Sequence, residues 1–278
     1  MALVSVDYFS AALMCNVTFT AILPIGGEDD AFAVDDQLRC ARPAAEAYPY
    51  PPARAPLKTL VLLHGVTGNS ADWLCGTRVR ELAERLGIAV IMPSGNNSFY
   101  LDQAATHNHY GQFVGAELVA VARRMFPLSA RREDTFIGGL SMGGYGALRN
   151  GLRYAETFGA IMAFSAAVVT GGLDRGFAEA PFYRRREFME DIFGPLDAVV
   201  GTDKDPVHLA RQLVEAGQPC PRVYLACGTE DGLVGPNRTL ADQLTGLGLD
   251  VTHREAPGGH TWDYWSTTLP QGMEWLVA

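Results

Sequence analysis

Gly139-Leu140-Ser141-Met142-Gly143 is the segment of this chain best suited to covalent chemistry. It fits G-x-S-x-G, the turn that presents a serine nucleophile between a strand and a helix. The glycines have a steric reason. A serine on so tight a turn carries a strained backbone, and side chains two residues to either side would collide across it. Gly144 and Gly146 extend the theme by letting the following helix sit close to the sheet. A chain with 30 glycines makes such a match by accident about one time in ten, so its setting decides. Residues 135–138 read as a strand directly before it and 142–154 as a helix directly after, which is the required context. The plain alternative is a glycine-rich turn that binds nothing. A dinucleotide turn fails on its G-x-G-x-x-G spacing.

A serine nucleophile needs a base and an acid that orients the base, in chain order Ser, Asp/Glu, His. Three of the six histidines lie downstream of Ser141: His208, His253 and His260. His208 falls in a helical pattern and His253 in a strand pattern. His260 sits in the loop Pro257-Gly258-Gly259-His260, just past the last strand, where a base can reach a serine. The acid is expected after the strand at 222–227. Asp231, in Cys227-Gly228-Thr229-Glu230-Asp231, is in place. Glu230 competes, and helix capping is the bland reading for either. Asp231 is favoured because Asp is the commoner third member. The oxyanion formed on attack requires two backbone N–H groups. Met142, next to the serine, is one candidate, and Val66, in the loop after His64-Gly65, is the other. His64 precedes the serine and ends a buried strand, so it reads as structural, bonded to loop backbone.

Two further clusters invite chemistry. His107-Asn108-His109 has the spacing of a metal pair, but no third ligand is evident, so neither a metal nor another cofactor is expected. Arg184-Arg185-Arg186 has the charge to grip an anionic substrate group. Glu187, Glu190 and Asp191 follow at helical spacings, and a solvated face of paired charges is the preferred reading.

The elements that position these residues alternate. Strands are read at 4–13 and 16–23, then a loop with five prolines at 43–56. Apolar runs at 58–64, 88–92, 160–164 and 222–227, with 135–138 and 250–255, read as further strands. Helices are read at 77–86 (closed by Gly87), 112–126, 142–154, 206–216 (capped by Asp205, stopped by Gly217), 236–247 and from Tyr264 onward. The alternation implies an α/β fold: a mostly parallel sheet with helices on both faces. Residues 166–205 break the rhythm and read as a lid-like insertion. Ser141, Asp231 and His260 must converge on one sheet, so residues 1–278 are expected to form one domain.

Composition narrows the partners. The chain is 48% hydrophobic and 19% charged, as globular proteins are. Its net charge of −9 disfavours nucleic acid. Asp7 interrupts the apolar start and the first basic residue is Arg39, so no signal peptide is read. No run of 18 apolar residues exists to span a membrane. Five cysteines, Cys15, Cys40, Cys75, Cys220 and Cys227, form no metal-type pair and read as reduced thiols. The expectation is a cytoplasmic protein acting on a small molecule, with homo-oligomerisation left open.

The motifs together resemble the esterase D branch of the α/β-hydrolases, most closely the bacterial tributyrin-esterase-like (acetyl esterase) proteins. The matching pieces are Leu62-Leu63-His64-Gly65, Gly139-Leu140-Ser141-Met142-Gly143-Gly144-Tyr145-Gly146, Cys227-Gly228-Thr229-Glu230-Asp231 and Gly259-His260-Thr261-Trp262-Asp263-Tyr264-Trp265. The likeness begins at Val6-Asp7-Tyr8-Phe9-Ser10 and runs over nearly the whole chain. It implies the α/β-hydrolase fold, a Ser141–Asp231–His260 triad, and oxyanion donors at Val66 and Met142. The proline-rich 43–56 loop and His107-Asn108-His109 depart from the pattern. The expected activity is that of a serine carboxylesterase for short-chain acyl esters, working through an acyl-enzyme. Short chains are favoured because bulky Trp73, Phe99, Tyr100, Trp262 and Trp265 lie near the motifs. S-formylglutathione hydrolysis and carbohydrate acetyl or feruloyl ester hydrolysis are rivals on the same fold. A non-catalytic binding module is the remote one.

Overall fold

A computed structural model describes residues 1–25, 56–168 and 181–278. Of the proline-rich 43–56 segment only Pro56 is among them, and residues 169–180 of the expected insertion also lie outside them. Eight strands form one sheet: β1 (Ala2–Ser10), β2 (Cys15–Leu23), β3 (Lys58–Leu63), β4 (Ile88–Pro93), β5 (Thr135–Leu140), β6 (Ala160–Phe164), β7 (Arg222–Gly228) and β8 (Val251–Ala256). Their order is β1-β2-β4-β3-β5-β6-β7-β8. The β1–β2 hairpin and the β2–β4 pairing are antiparallel, and every other pairing is parallel.

The central strands are apolar runs because both of their faces are covered. In β3, Leu60 and Leu62 join one buried cluster, while Val61 and Leu63 join the other. The period-two alternation of a strand thus feeds two cores. One face packs α3 (Leu118–Met125), α4 (Met142–Arg153), α5 (Arg186–Phe193), α6 (Pro206–Glu215) and α7 (Val234–Gly246), through residues such as Leu118, Leu148, Ile192, Leu209 and Leu240. The other packs α1 (Asp72–Gly76), α2 (Val79–Leu86) and α8 (Trp262–Val277), through Trp73, Leu82 and Leu269. The stop signals work as expected. Gly87 ends α2 at φ +65, and the Asp205 carboxylate accepts the Val207 N–H at 3.0 Å to start α6.

The structure shifts several element ends by a few residues. The first strand ends at Ser10 rather than 13, because the Ser10 hydroxyl accepts the Leu13 N–H and closes a turn over residues 11–14. The helix expected at 112–126 begins at Tyr110 and passes through a π-turn at Phe113–Glu117 before α3. Glu117 on that turn accepts the Ala12 N–H at 2.7 Å, tying the hairpin down. The short α1 and a two-residue hairpin, Asp102–Gln103 with Asn108–His109, are too brief to leave a periodic signal.

Parallel strands all present their carboxyl ends at one edge, where α/β proteins place their sites. The end of β3 is tightly fixed there. Trp73 Nε1–H donates to the Leu63 carbonyl at 2.9 Å, and the Tyr100 hydroxyl donates to the His64 carbonyl at 3.0 Å. His64 is buried, with Nδ1 2.6 Å from the Gly65 carbonyl and Nε2 2.8 Å from the Gly95 N–H. A carbonyl only accepts and an amide only donates. Nδ1 therefore carries the proton, Nε2 is bare, and the ring is neutral.

Burial holds the His64 pKa below its ordinary 6.5, against the opposing pull of the Gly65 carbonyl and Asp72. The unfolded chain takes up a proton there that the folded chain refuses. Stability from this group is therefore complete above about pH 6.5 and is lost as pH falls below it. His64→Gln keeps an acceptor for the Gly95 amide but cannot titrate. Urea midpoints measured at about pH 7.5 and about pH 5.5 are expected to differ less in His64→Gln than in the wild type.

Candidate active site

The end of β5 turns into α4 through Ser141, whose φ is +54° and ψ −117°. A non-glycine residue held there carries backbone strain of about 1–3 kcal/mol. Three hydrogen bonds hold it: Ser141 N–H to the Phe164 carbonyl (2.9 Å), and the N–H groups of Tyr145 and Ala167 to the Ser141 carbonyl (both 3.0 Å). The flanking glycines are required by contact. A Cβ on Gly139 would stand 2.5 Å from the backbone of Gly143, and one on Gly143 2.6 Å from the His64 carbonyl oxygen. Both obstacles are backbone atoms, which cannot swing aside.

Ser141, His260 and Asp231 come together at this edge. His260 Nε2 is 3.0 Å from Ser141 Oγ, and its Nδ1 is 2.8 Å from Asp231 Oδ2. The other Asp231 oxygen accepts the Leu233 N–H at 2.9 Å. The loops that carry the acid and the base are fastened to each other. Thr229 N–H donates to the Ala256 carbonyl (2.9 Å) and Glu230 N–H to the Gly258 carbonyl (3.0 Å). Glu230 itself is exposed, so the choice between the two carboxylates falls on Asp231. His253 lies on edge strand β8 beside Glu255, and His208 lies on α6.

The Asp231 side chain is 1% exposed and that of His260 is 38%. Burial alone would raise the carboxyl pKa. Hydrogen bonds from His260, the Leu233 amide and Ser165 outweigh it and hold the group below its usual range. A carboxylate that stays ionised accepts a proton-bearing Nδ1, which leaves Nε2 bare toward the serine hydroxyl. The arrangement is chemically able to withdraw the Ser141 proton.

The expected oxyanion donors flank the serine. Met142 is the first residue of α4, where amides have no partner within the helix and the helix dipole favours negative charge. The Gly65-Val66 loop lies against the turn, since a Cβ on Gly65 would be 3.5 Å from Ser141 Cβ. Thr67, at φ +64°, donates its N–H to Asn97 Oδ1 at 2.6 Å and so fixes the loop beyond Val66.

An aromatic wall stands beside the base. Trp265 meets His260 edge-on at 4.9 Å, Trp262 meets Trp265 at 5.3 Å, and Trp73 meets Trp262 at 5.7 Å. Trp73, Phe99, Tyr100 and Trp265 are buried, so they back the site, while Trp262 is partly open. The rings of His107 and His109 pack edge-on at 4.6 Å on the short hairpin. Arg186 pairs with Glu190 at 2.6 Å on the outer face of α5, as the helical spacing implied. Asn97 and Ser165 were not legible as site residues. The one signal for Ser165 was a lone polar residue closing an apolar strand.

Comparisons with known proteins identify the family and the fold. A family model described as a putative esterase matches residues 37–276. The acetyl esterase of Caldicellulosiruptor saccharolyticus is 40% identical over 279 residues, spanning 99% of this chain and 98% of that protein. The Staphylococcus aureus fluorophosphonate-binding serine hydrolase F, solved with substrate bound, superposes with a TM-score of 0.80 at 29% identity, covering 100% of this chain and 98% of its own. An S-formylglutathione hydrolase of the same organism gives 0.79 at 29% identity, covering 100% and 99%. With a shared sequence over nearly its full length and a shared fold, this chain belongs to that esterase family, a carboxylic ester hydrolase on the α/β-hydrolase scaffold.

Proposed function

We propose that this esterase hydrolyses short-chain acyl esters with Ser141 as nucleophile, His260 as base and Asp231 as the orienting acid. The observation that carries the assignment is the unbroken chain from Ser141 Oγ through His260 to Asp231, at 3.0 and 2.8 Å. Ser141 Oγ attacks the ester carbonyl carbon as His260 Nε2 takes its proton. The carbonyl oxygen, now negative, is held by the N–H groups of Val66 and Met142. The tetrahedral centre collapses, the C–O bond to the alcohol breaks, and His260 returns the proton to the departing oxygen. Water then attacks the acyl-enzyme with His260 again as base, and the acid leaves with Ser141 restored. Asp231 holds the ring and stabilises the imidazolium; it does not itself take the proton. No metal or cofactor enters any step.

The acetyl substrate named for the 40% identical relative supports a small acyl group. The partly open Trp262, packed on buried Trp73 and Trp265, supports a confined site. A second reading, hydrolysis of the thioester S-formylglutathione, is favoured by the Staphylococcus enzyme that aligns over the whole chain. It uses the same steps with a thiolate leaving group. We read the chain as one domain, and the described insertion residues 181–205 as packing beside the site. Phe193 of α5 packs on Phe99 at 5.1 Å and on Tyr145 of α4 at 5.6 Å, which supports that placement. Among the described residues no helix is long and apolar enough to cross a membrane. The exposed free thiols Cys15 and Cys75 support a reducing, cytoplasmic location. The charge of −9 supports a small-molecule rather than a nucleic-acid partner.

Ser141→Ala is expected to lower kcat on p-nitrophenyl acetate by about 10⁴–10⁶ and to abolish fluorophosphonate labelling, with circular dichroism unchanged. Full retained activity would remove Ser141 from the mechanism. In a series of p-nitrophenyl esters from C2 to C12, kcat/KM is expected to peak at the short end. A maximum at C8 or longer overturns the short-chain reading. A higher kcat/KM on S-formylglutathione than on any aryl ester moves the assignment to the thioester.

A further inference from the structure

We propose that Asn97 is a positioning residue for the reaction: its side-chain oxygen pins the Thr67 amide and so fixes the turn that presents the Val66 N–H to the oxyanion. The proposal rests on the Ser141 and Val66 assignments above.

Residues 65–68 close a tight turn just past β3. Gly68 N–H donates to the Gly65 carbonyl at 3.2 Å, which makes Val66 and Thr67 the two central residues. Val66 keeps a negative φ, while that of Thr67 is +64°. A negative φ followed by a positive one is the pattern of a type II turn, whose second central position favours Gly or Asn. Thr is poorly suited to it, because a β-branched side chain in the left-handed region crowds its own backbone. A type I turn would accept Thr there without that crowding. The two types share their ends and differ in the peptide between the central residues, which is turned over. The N–H of that peptide belongs to Thr67, and it donates to Asn97 Oδ1 at 2.6 Å. In the type I form the N–H faces away and the bond is lost. The carbonyl of the same peptide accepts only the Thr67 hydroxyl, at 2.6 Å, a bond that moves with the turn. Asn97 is thus the tie that holds the central peptide to the rest of the molecule.

The segment after β4 braces this region at three places. Gly95 N–H donates to His64 Nε2 (2.8 Å), Asn97 Oδ1 accepts from Thr67, and Ser94 Oγ accepts the Ser70 N–H (3.2 Å). Only the Asn97 contact falls inside the turn. Asn97 is held in place by its neighbour: Ser98 Oγ donates to the Gly95 carbonyl at 2.6 Å and accepts the Tyr100 N–H at 3.1 Å. The ends of the turn cannot shift. A Cβ on Gly65 would stand 2.8 Å from Leu140 Cδ1, and one on Gly68 would run into the Asp72 carboxylate. Freedom is confined to the central peptide, where Asn97 acts.

Val66 N–H lies in the adjoining peptide, and the two peptide planes meet at the Val66 Cα. Its aim depends on the central peptide staying in one orientation. An oxyanion donor works by being in place before the charge develops. A turn that visits both forms offers that donor only part of the time, and the rate falls with the fraction. The ester in its ground state carries no such charge, so the loss belongs to the transition state and not to substrate binding.

The test measures p-nitrophenyl acetate hydrolysis by Asn97→Ala, Thr67→Gly and the double variant. Asn97 is half-buried on a loop, so truncating it leaves the core intact. Asn97→Ala is expected to lower kcat about 10–50-fold, short of the 10²–10³ for a donor removed outright, with KM within about threefold. Glycine takes the type II turn freely. Thr67→Gly alone is therefore expected to lose less than Asn97→Ala, and the double variant to regain most of the lost kcat. A side chain that acted by touching substrate would not be rescued from position 67. The second readout is inhibition by a small trifluoromethyl ketone. Ser141 Oγ adds to its carbonyl carbon, the serine proton passes to His260, and the ketone oxygen becomes a bound oxyanion. Its inhibition constant should rise in Asn97→Ala by about the factor by which kcat/KM falls. Asn97→Ala with wild-type kcat overturns the proposal, and so does a loss that Thr67→Gly fails to restore. A restorable loss with unchanged ketone inhibition removes Val66 from the oxyanion, and the proposal with it. Ser141→Ala in the same assay keeps the claims apart. Activity there refutes the triad reading, whereas an inactive Ser141→Ala beside a fully active Asn97→Ala defeats only the role of Asn97.

Discussion

The left-handed backbone of Ser141 is the constraint around which this edge of the sheet is arranged. A residue at φ +54° is unstable unless its neighbours leave it no alternative. Here β3 crowds it from one side, through carbonyls that forbid a side chain at Gly139 or Gly143. The end of β6 binds it from the other, through the Phe164 carbonyl and the Ala167 amide. What the strain achieves is placement: a buried turn sets Ser141 Oγ 3.0 Å from His260 Nε2. Met142 then opens α4 with an unpaired amide beside the same oxygen. The proposed nucleophile and one proposed oxyanion donor thus come from a single turn.

The electrostatics follow from unequal burial. A carboxylate as enclosed as Asp231 is costly unless every lone pair is engaged. The His260 ring engages one of its oxygens and the Leu233 amide the other. His260, by contrast, keeps one side toward solvent. The fixed charge is therefore deep, and the ring proposed to gain and lose a proton is nearer the surface. That order suits a base that takes a proton from serine and later activates water.

Much of this was readable from residue types. The glycines around Ser141, the loop position of His260 and the alternation of apolar runs with 3.6-period helices are each local consequences of physics acting within about ten residues. Asp231 was readable by position, although the sequence does not say which carboxylate turns inward; Asp231 is the buried one and Glu230 is exposed. The supporting contacts were not readable. Asn97 reaches the Thr67 amide across 30 residues, and Trp265 reaches Ser165 across 100. Neither leaves a period or a motif, because each is made by tertiary closure. The π-turn at Phe113–Glu117 escaped for a related reason: an added residue in a helix keeps the apolar stripe nearly intact while shifting its register.

His64 and His260 show why residue type alone underdetermines role. Both follow strand ends at the same edge of the sheet, and both use Nδ1 as a donor to an oxygen, the Gly65 carbonyl in one case and Asp231 in the other. They differ in what faces Nε2. For His64 it is the Gly95 amide, a donor whose proton cannot be given up at working pH, so the lone pair is spent on holding a loop. For His260 it is the Ser141 hydroxyl, whose proton can leave once a carbonyl carbon is at hand to bind the oxygen. Their surroundings differ as well. His64 is sealed beneath Tyr100, where burial outweighs the pull of Asp72 and protonation is penalised, and its Nδ1 bonds a neutral carbonyl. His260 has a buried carboxylate for that purpose. The distinction between a structural and a catalytic imidazole thus reduces to two neighbours: a mobile proton on one nitrogen and a fixed negative charge on the other.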